Sequence, residues 1–180
     1  MNKPLKQLEN IALQPAKLTV AALLILISAC SSNYTVSVNN QAVFDPSGRL
    51  FNGELADPDL QGCVNIAMQQ QSTQNAALLR VLSCGSSEVE TLENIDQLTQ
   101  LRFLDMNNNL IRDLSPLAGL RLLGGLNLMN NTITDIGPLL NMGNLASVNL
   151  VGNNNIPCQQ LLSLEDRLGS NLSRPTSCRN

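Results

Sequence analysis

Histidine is absent from this 180-residue sequence, and that removes most of the common routes to catalysis. Without imidazole there is no Ser–His or Cys–His pair, no His general base and no imidazole metal site. The lysines, Lys3, Lys6 and Lys17, all precede residue 30, so a chain shortened to that point also lacks the amine of a Ser–Lys dyad or a Schiff base. The carboxylates form no acid–base pair by pattern: Asp57 and Asp59 sit together at one place, and Asp113 and Asp135 recur at one repeat position. Cysteine is the remaining reactive type. Cys30 directly follows Ser28-Ala29, whereas Cys63, Cys84, Cys158 and Cys178 are spread through the rest of the chain. Zinc is a competing use of those four, but it has neither a C-x-x-C spacing nor a histidine to support it. The expectation is a protein that is not an enzyme, with no catalytic residue, no metal and no cofactor.

The elements that position these residues begin with a targeting segment. The three lysines precede a largely apolar run from Leu18 to Ile27, about half the length that a membrane-spanning helix needs. Ile27-Ser28-Ala29-Cys30 resembles the lipobox of bacterial lipoproteins. That resemblance implies that residues 1–29 are a signal peptide and that Cys30 becomes the acylated first residue. An ordinary cleaved signal peptide and an uncleaved anchor are the alternatives. Ser31 and Ser32 follow the cysteine where an Asp would resemble an inner-membrane retention signal, so the expected location is a bacterial cell envelope, as an outer-membrane lipoprotein on its periplasmic or surface face. Acyl chains anchor durably because each buried methylene contributes about 0.8 kcal/mol. Loss of residues 1–29 removes three lysines and Glu9, which takes the net charge from −3 to −5. A domain of that charge has no overall attraction for nucleic acid.

Leu101, Leu123 and Leu145 recur at a constant interval of 22 residues. Leu101, Leu104, Met106, Asn109 and Ile111 fit the pattern L-x-x-L-x-L-x-x-N-x-I, as do Leu123, Leu126, Leu128, Asn131 and Ile133. One period earlier stand Leu79, Leu82, Cys84 and Val89, with Ser87 in place of the Asn. Apolar residues then follow every third position, as in Ile111, Leu114, Leu117 and Leu120. The first half reads as a short strand with alternate side chains inward. The Asn is suited to turn the chain and to satisfy backbone groups of neighbouring coils. The three-residue spacing suits a 3₁₀ turn, which Pro116 and Pro138 stiffen at equivalent places. The scarcity of aromatics, 2% of the chain, agrees with a core of aliphatic side chains at fixed positions.

These residues, with Asp113-Leu-Ser-Pro116-Leu117 and Asp135-Ile-Gly-Pro138-Leu139, resemble the 22-residue leucine-rich repeats of bacterial internalin-like proteins. The resemblance covers about residues 55–180. It implies an α/β solenoid: a short right-handed leucine-rich repeat stack with parallel strands on the concave face, 3₁₀ turns on the convex face and helical caps. The domains expected are a signal peptide over 1–29, an N-terminal arm or β-hairpin over 30–56, a helical N-terminal cap over 57–78, repeats over 79–157 and a C-terminal cap over 158–180. Within 30–56, Tyr34-Thr-Val36-Ser-Val38 alternates before Asn39-Asn40, and a disordered tether is the other reading.

A solenoid must close its core at both ends. Asp57-Pro58-Asp59 reads as a helix start, with Leu60, Cys63, Val64 and Ala67 on one face. Cys158 opens a Leu-rich helix that stops at Gly169. The four later cysteines allow three pairings. Strands about 4.8 Å apart place cysteines at opposite ends of the stack roughly 15–20 Å from one another, whereas a disulfide needs Cα atoms within about 7 Å. Only Cys63–Cys84 and Cys158–Cys178 survive that test, and disulfides require an oxidising compartment. The same pattern resembles capped repeat lipoproteins of Gram-negative bacteria.

Residues between the inward leucines project to the concave face. Phe103, Asp105, Asn107, Asn127, Met129, Asn149 and Val151 are the candidate ligand-binding residues, a mixture of apolar groups, amides and one carboxylate. The plainer account of the column Ser83, Asp105, Asn127 and Asn149 is that short polar residues keep an open sheet face solvated. Four strands present roughly 200–300 Å², against about 800 Å² per partner in a standard interface. The function expected is an envelope-anchored module that binds a protein, peptide or glycan through the repeat surface. The alternative is a structural envelope lipoprotein without a dedicated ligand.

Overall fold

The computed structural model describes residues 36–38, 41–44 and 55–178. The expected signal segment, 1–29, and Cys30 lie outside the described residues. In the N-terminal part, β1 (Val36–Val38) pairs antiparallel with β2 (Gln41–Phe44). Helix α1 (Pro58–Gln70) follows, then a 3₁₀ turn at Ala76–Leu78.

Next come the coils. Strands β3 (Val81–Ser83), β4 (Phe103–Asp105), β5 (Gly125–Asn127) and β6 (Ser147–Asn149) recur every 22 residues. They pair in parallel and in strict register, so that Leu82, Leu104, Leu126 and Val148 form one inward line. Each strand is only three residues long and exposes its first residue to a different degree, while the middle one is buried. The remaining template leucines and isoleucines are buried with them in a single core, many with no exposure at all. At about 25 cal/mol per Å² of apolar area, this burial is what holds successive coils together.

On the far side the chain makes 3₁₀ turns at Ile95–Gln97 and Ser115–Gly119. The equivalent segment of the third coil differs: Gly137–Leu140 (α2) closes as one α-turn. There the C-terminal cap intervenes. Gln160 Oε1 accepts from the Ile136 N–H, and the Arg167 guanidinium donates to the carbonyls of Leu139, Leu140 and Met142. Carbonyls at a helix end have no partner of their own, so an outside donor set can hold an α-turn where the other coils close as 3₁₀.

The asparagines divide their work. Asn109, Asn131 and Asn153 are nearly fully buried. Asn131 Oδ1 accepts from Ile111 N–H, and its Nδ2 donates to the carbonyls of Met106 and Leu128, stitching two coils. Asn109 and Asn153 bond equivalently, to Val89 N–H and Cys84 C=O and to Ile133 N–H and Leu128 C=O. The turn itself, however, is made by the preceding residue. Ser86, Asn108, Asn130 and Gly152, spaced by 22, all have positive φ. One side chain cannot both bend outward at a left-handed turn and reach inward to the backbone, so two adjacent positions share what the sequence assigns to one.

Ser87 stands where the later coils have the buried Asn, and its N–H donates to Asn109 Oδ1. Asp57 ties the cap to this first coil. Its Oδ1 accepts from Asp59 and Leu60 N–H as a helix N-cap, and its Oδ2 accepts from Glu90 and Thr91 N–H of the first coil.

At the other end, α3 (Cys158–Leu168) stops at Gly169, whose φ is positive. The chain then adds a strand that the repeat spacing does not announce. β7 (Leu172–Ser173) pairs parallel with β6, so the sheet has five strands in the order β3-β4-β5-β6-β7. Leu172 lies opposite Val148, 24 residues on rather than 22, because α3 is longer than the turn that it replaces. β7 covers an edge that would otherwise expose unpaired backbone groups. Both disulfides lie at the ends, Cys63–Cys84 with Cα atoms 5.8 Å apart and Cys158–Cys178 with 5.6 Å.

Candidate binding surface

The register stacks the outward residues into three columns. The first holds Val81, Phe103, Gly125 and Ser147, and the second Ser83, Asp105, Asn127 and Asn149. The third, just past the strands, holds Gly85, Asn107, Met129 and Val151, one period apart. Phe103 is 41% exposed and Val81 49%. Met129 and Val151 are half-buried. The larger apolar candidates are therefore not brought together: Phe103 and Met129 fall in the outer columns, with a polar column between them.

Two glycines explain how the large side chains lie. A Cβ on Gly125 would come within 2.7 Å of the Phe103 ring, so the ring lies across the glycine of the next coil. A Cβ on Gly85 would meet Asn107 Nδ2 at 2.6 Å, so Asn107 leans over the preceding coil. Each bulky group rests on a neighbour without a side chain.

The middle column is largely occupied with itself. Asp105 Oδ1 accepts from the Asn107 N–H at 3.1 Å, from Asn107 Nδ2 at 2.7 Å and from Asn127 Nδ2 at 2.9 Å. Its other oxygen receives Ser83 Oγ at 3.4 Å. Asn127 and Asn149 each accept from the N–H two residues on, at Met129 and Val151. A chain of this kind holds the side chains still and keeps the carboxylate satisfied. It leaves few polar groups of the column free to meet a ligand, chiefly the Asn149 amide nitrogen and the more weakly bonded oxygen of Asp105.

Two hollows flank the sheet. One, of about 360 Å³, lies between α1 and β3 and is lined by Gln71, Val81, Ser83 and Gly85 among others. The other, of about 850 Å³, runs along the C-terminal cap past Val151, Leu162, Leu172 and the Cys158–Cys178 bridge. Arg174 lines it, donating to Glu165 and to the Cys178 carbonyl, while its Nε has no partner. No group of three or more His, Cys, Asp or Glu is placed to hold a metal among the described residues. No helix among them is long and apolar enough to cross a membrane.

Sequence reasoning left Val81, Leu78, Leu110 and Leu122 out of the candidate set, although each is exposed. The signal was present: none of the four occupies an inward template position, and Leu78 and Leu122 share one repeat position.

Residues 78–119 match the family described as leucine-rich repeats in two copies. The chain carries leucine-rich repeats and has their solenoid fold. Its stack is similar to that of an internalin (InlF) of Listeria monocytogenes, at 30% identity and a TM-score of 0.59 over 68% of this chain and 37% of that one. Internalin C2 of the same species is similar at 24% identity and a TM-score of 0.48, over 56% of this chain and 52% of that one. This leucine-rich repeat chain thus spans little more than a third of the first and about half of the second. No curated protein sequence matches it significantly. Leucine-rich repeat domains of the internalin kind are typically non-catalytic and typically mediate protein binding.

Proposed function

We propose that this leucine-rich repeat protein is a binding module of a bacterial envelope, which recognises a protein, peptide or glycan through its repeat surface without transforming it. The observation that carries the reading is the exposure of Phe103 beside Val81 on a sheet whose polar side chains are already bonded to one another. Exposed apolar area on a rigid support costs little ordering on association, which favours recognition. A lipid anchor at Cys30 completes the proposal. It rests on Ile27-Ser28-Ala29-Cys30, the outer-membrane location rests on Ser31-Ser32 after it, and Cys30→Ser is expected to release the protein into the soluble fraction.

Photo-crosslinking in the native envelope tests the binding reading. Wild-type protein is expected to yield a discrete set of adducts that Phe103→Glu removes. An unchanged set would sink the proposal. The self-satisfied Asp105 column favours a second reading, a structural lipoprotein without a dedicated ligand, under which Phe103→Glu is silent and only loss of the anchor has an effect.

A further inference from the structure

The charges of the repeats are segregated across the coil. Arg80 and Arg102 occupy the same repeat position, directly before Val81 and Phe103, and Arg121 lies on the segment that leads into β5. All three are exposed, and none makes a side-chain hydrogen bond or ion pair among the described residues. The corresponding segments 76–81, 98–103, 120–125 and 142–147 contain no Asp or Glu. The acidic side chains Glu88, Glu90, Glu93, Asp113 and Asp135 stand instead beyond the strand ends, with Arg112 among them, and Asp96 lies on the far-side turn against Gly119. One edge of the sheet is basic in a chain whose net charge is −3.

The fold gains nothing from that edge. Adjacent coils are about 4.8 Å apart, so Arg80 and Arg102 are like charges facing each other across a ladder, an arrangement that destabilises. The backbone there is fixed, since Arg80 C=O accepts from both Arg102 and Phe103 N–H and Arg121 C=O accepts from Asn144 Nδ2. Apolar exposure coincides with the charge. Leu78 is 58% exposed, Val81 49%, Phe103 41% and Leu122 36%, which is four of the six large apolar side chains exposed among the described residues. Arginine beside aromatic and aliphatic groups is the composition of interface centres.

We infer that this leading edge of the sheet, rather than the concave centre, is the principal contact surface, and that it takes an acidic segment of a protein partner. Carboxylates of the partner pair with Arg80, Arg102 and Arg121, and an apolar side chain seats against Val81 and Phe103. The inference rests on the binding-module reading and names its partner's chemistry. A protein carboxylate is favoured over an anionic membrane for two reasons. The guanidinium fork matches a carboxylate in paired geometry, and the acidic groups elsewhere on the coils would be repelled by a charged plane while leaving a narrow chain free to approach.

The test uses purified protein lacking residues 1–29 and fluorescein-labelled synthetic peptides, read by anisotropy. One peptide alternates Glu and Asp around a central Phe-Leu pair, a second replaces its acids by Lys, and a third replaces its apolar pair by Ser. The first is expected to bind best and to weaken as salt rises, and Arg102→Glu with Arg121→Glu is expected to lose at least about tenfold in affinity. Arg112→Glu, beyond the strand ends, is expected to bind as wild type. Reversal at 102 removes a like-charge contact, so the double variant is expected to keep or raise its Tm, which separates lost binding from lost fold. Equal binding of acidic and basic peptides, wild-type affinity in the double variant, or preference for phosphatidylglycerol vesicles over the acidic peptide would each overturn the inference. Envelope crosslinking distinguishes the two levels. Adducts lost in Asn127→Arg but kept in the double variant overturn the edge and leave the binding reading standing, whereas adducts unchanged in both end both.

Discussion

Two ladders of short polar residues run through this molecule at the same 22-residue interval, and they do opposite things. Asn109, Asn131 and Asn153 are buried and bond to backbone groups of two coils. Asp105, Asn127 and Asn149 are half-buried on the sheet and bond mainly to side chains and to the N–H groups just beyond their own strands. Residue type and period are shared, so neither distinguishes fold from function. Environment does. A buried amide that satisfies backbone cannot be removed without leaving polar groups dry, whereas water can replace most of what the outer ladder provides.

The sharpest way to break this contrast is to truncate one member of each ladder. Asn131→Ala strands the Ile111 N–H and the Met106 carbonyl, while the Leu128 carbonyl keeps its bond from Asn153, so urea unfolding should show a loss of about 3 kcal/mol. Asp57→Ala is the intermediate case, since it removes a helix cap and the acceptor of the Glu90 and Thr91 N–H groups. It should cost about 2 kcal/mol, with the loss confined to the N-terminal amides in hydrogen exchange. Asn127→Ala should cost less than about 1 kcal/mol. A cost there equal to that of Asn131→Ala would make the outer column structural and would favour the reading without a ligand.

The smallest effect belongs to Asp113 and Asp135, which show how little an exposed repeat carboxylate contributes. The Ser115 hydroxyl and N–H hold Asp113 below the usual carboxylate value. The Gly137 N–H and the Gln160 amide do the same for Asp135, against opposition from desolvation and the Asp113 charge. A depressed carboxylate stabilises the fold above its unfolded value and loses that contribution as pH falls through the folded value. The advantage of the wild type over Asp113→Asn should therefore be fully present at neutral pH and shrink as pH drops below the ordinary carboxylate range. Water screens both groups, so the gap should be small.

Much of the architecture was legible because each coil repeats one solution: leucines at fixed steps, the buried Asn, the cap start at Asp57-Pro58 and the only cysteine pairing that distance permits. β7 was not, because α3 shifts its spacing to 24 and two residues carry no pattern of their own. The split between the turning residue and the buried amide was hidden inside the runs Asn107-Asn108-Asn109 and Asn130-Asn131, where composition cannot say which side chain points inward. At the candidate surface, the outward positions could be read, but not that Asp105 would already be satisfied by its neighbours. The basic edge lay in plain view. It falls between template positions, where a search for repeats does not look.

The covalent bridges have a mechanical consequence. Each closes a loop at one extremity, 63 to 84 and 158 to 178, and residues 85–157 lie in neither. Load drawn through the chain from end to end would bypass the bridged loops and fall on the short three-residue ladders between β3 and β6, which would peel coil by coil while both caps stayed intact. The array is then extensible in its middle, by about 70 residues of chain at roughly 3.5 Å each, and its capped ends would remain as ready-made surfaces from which the coils could rewind.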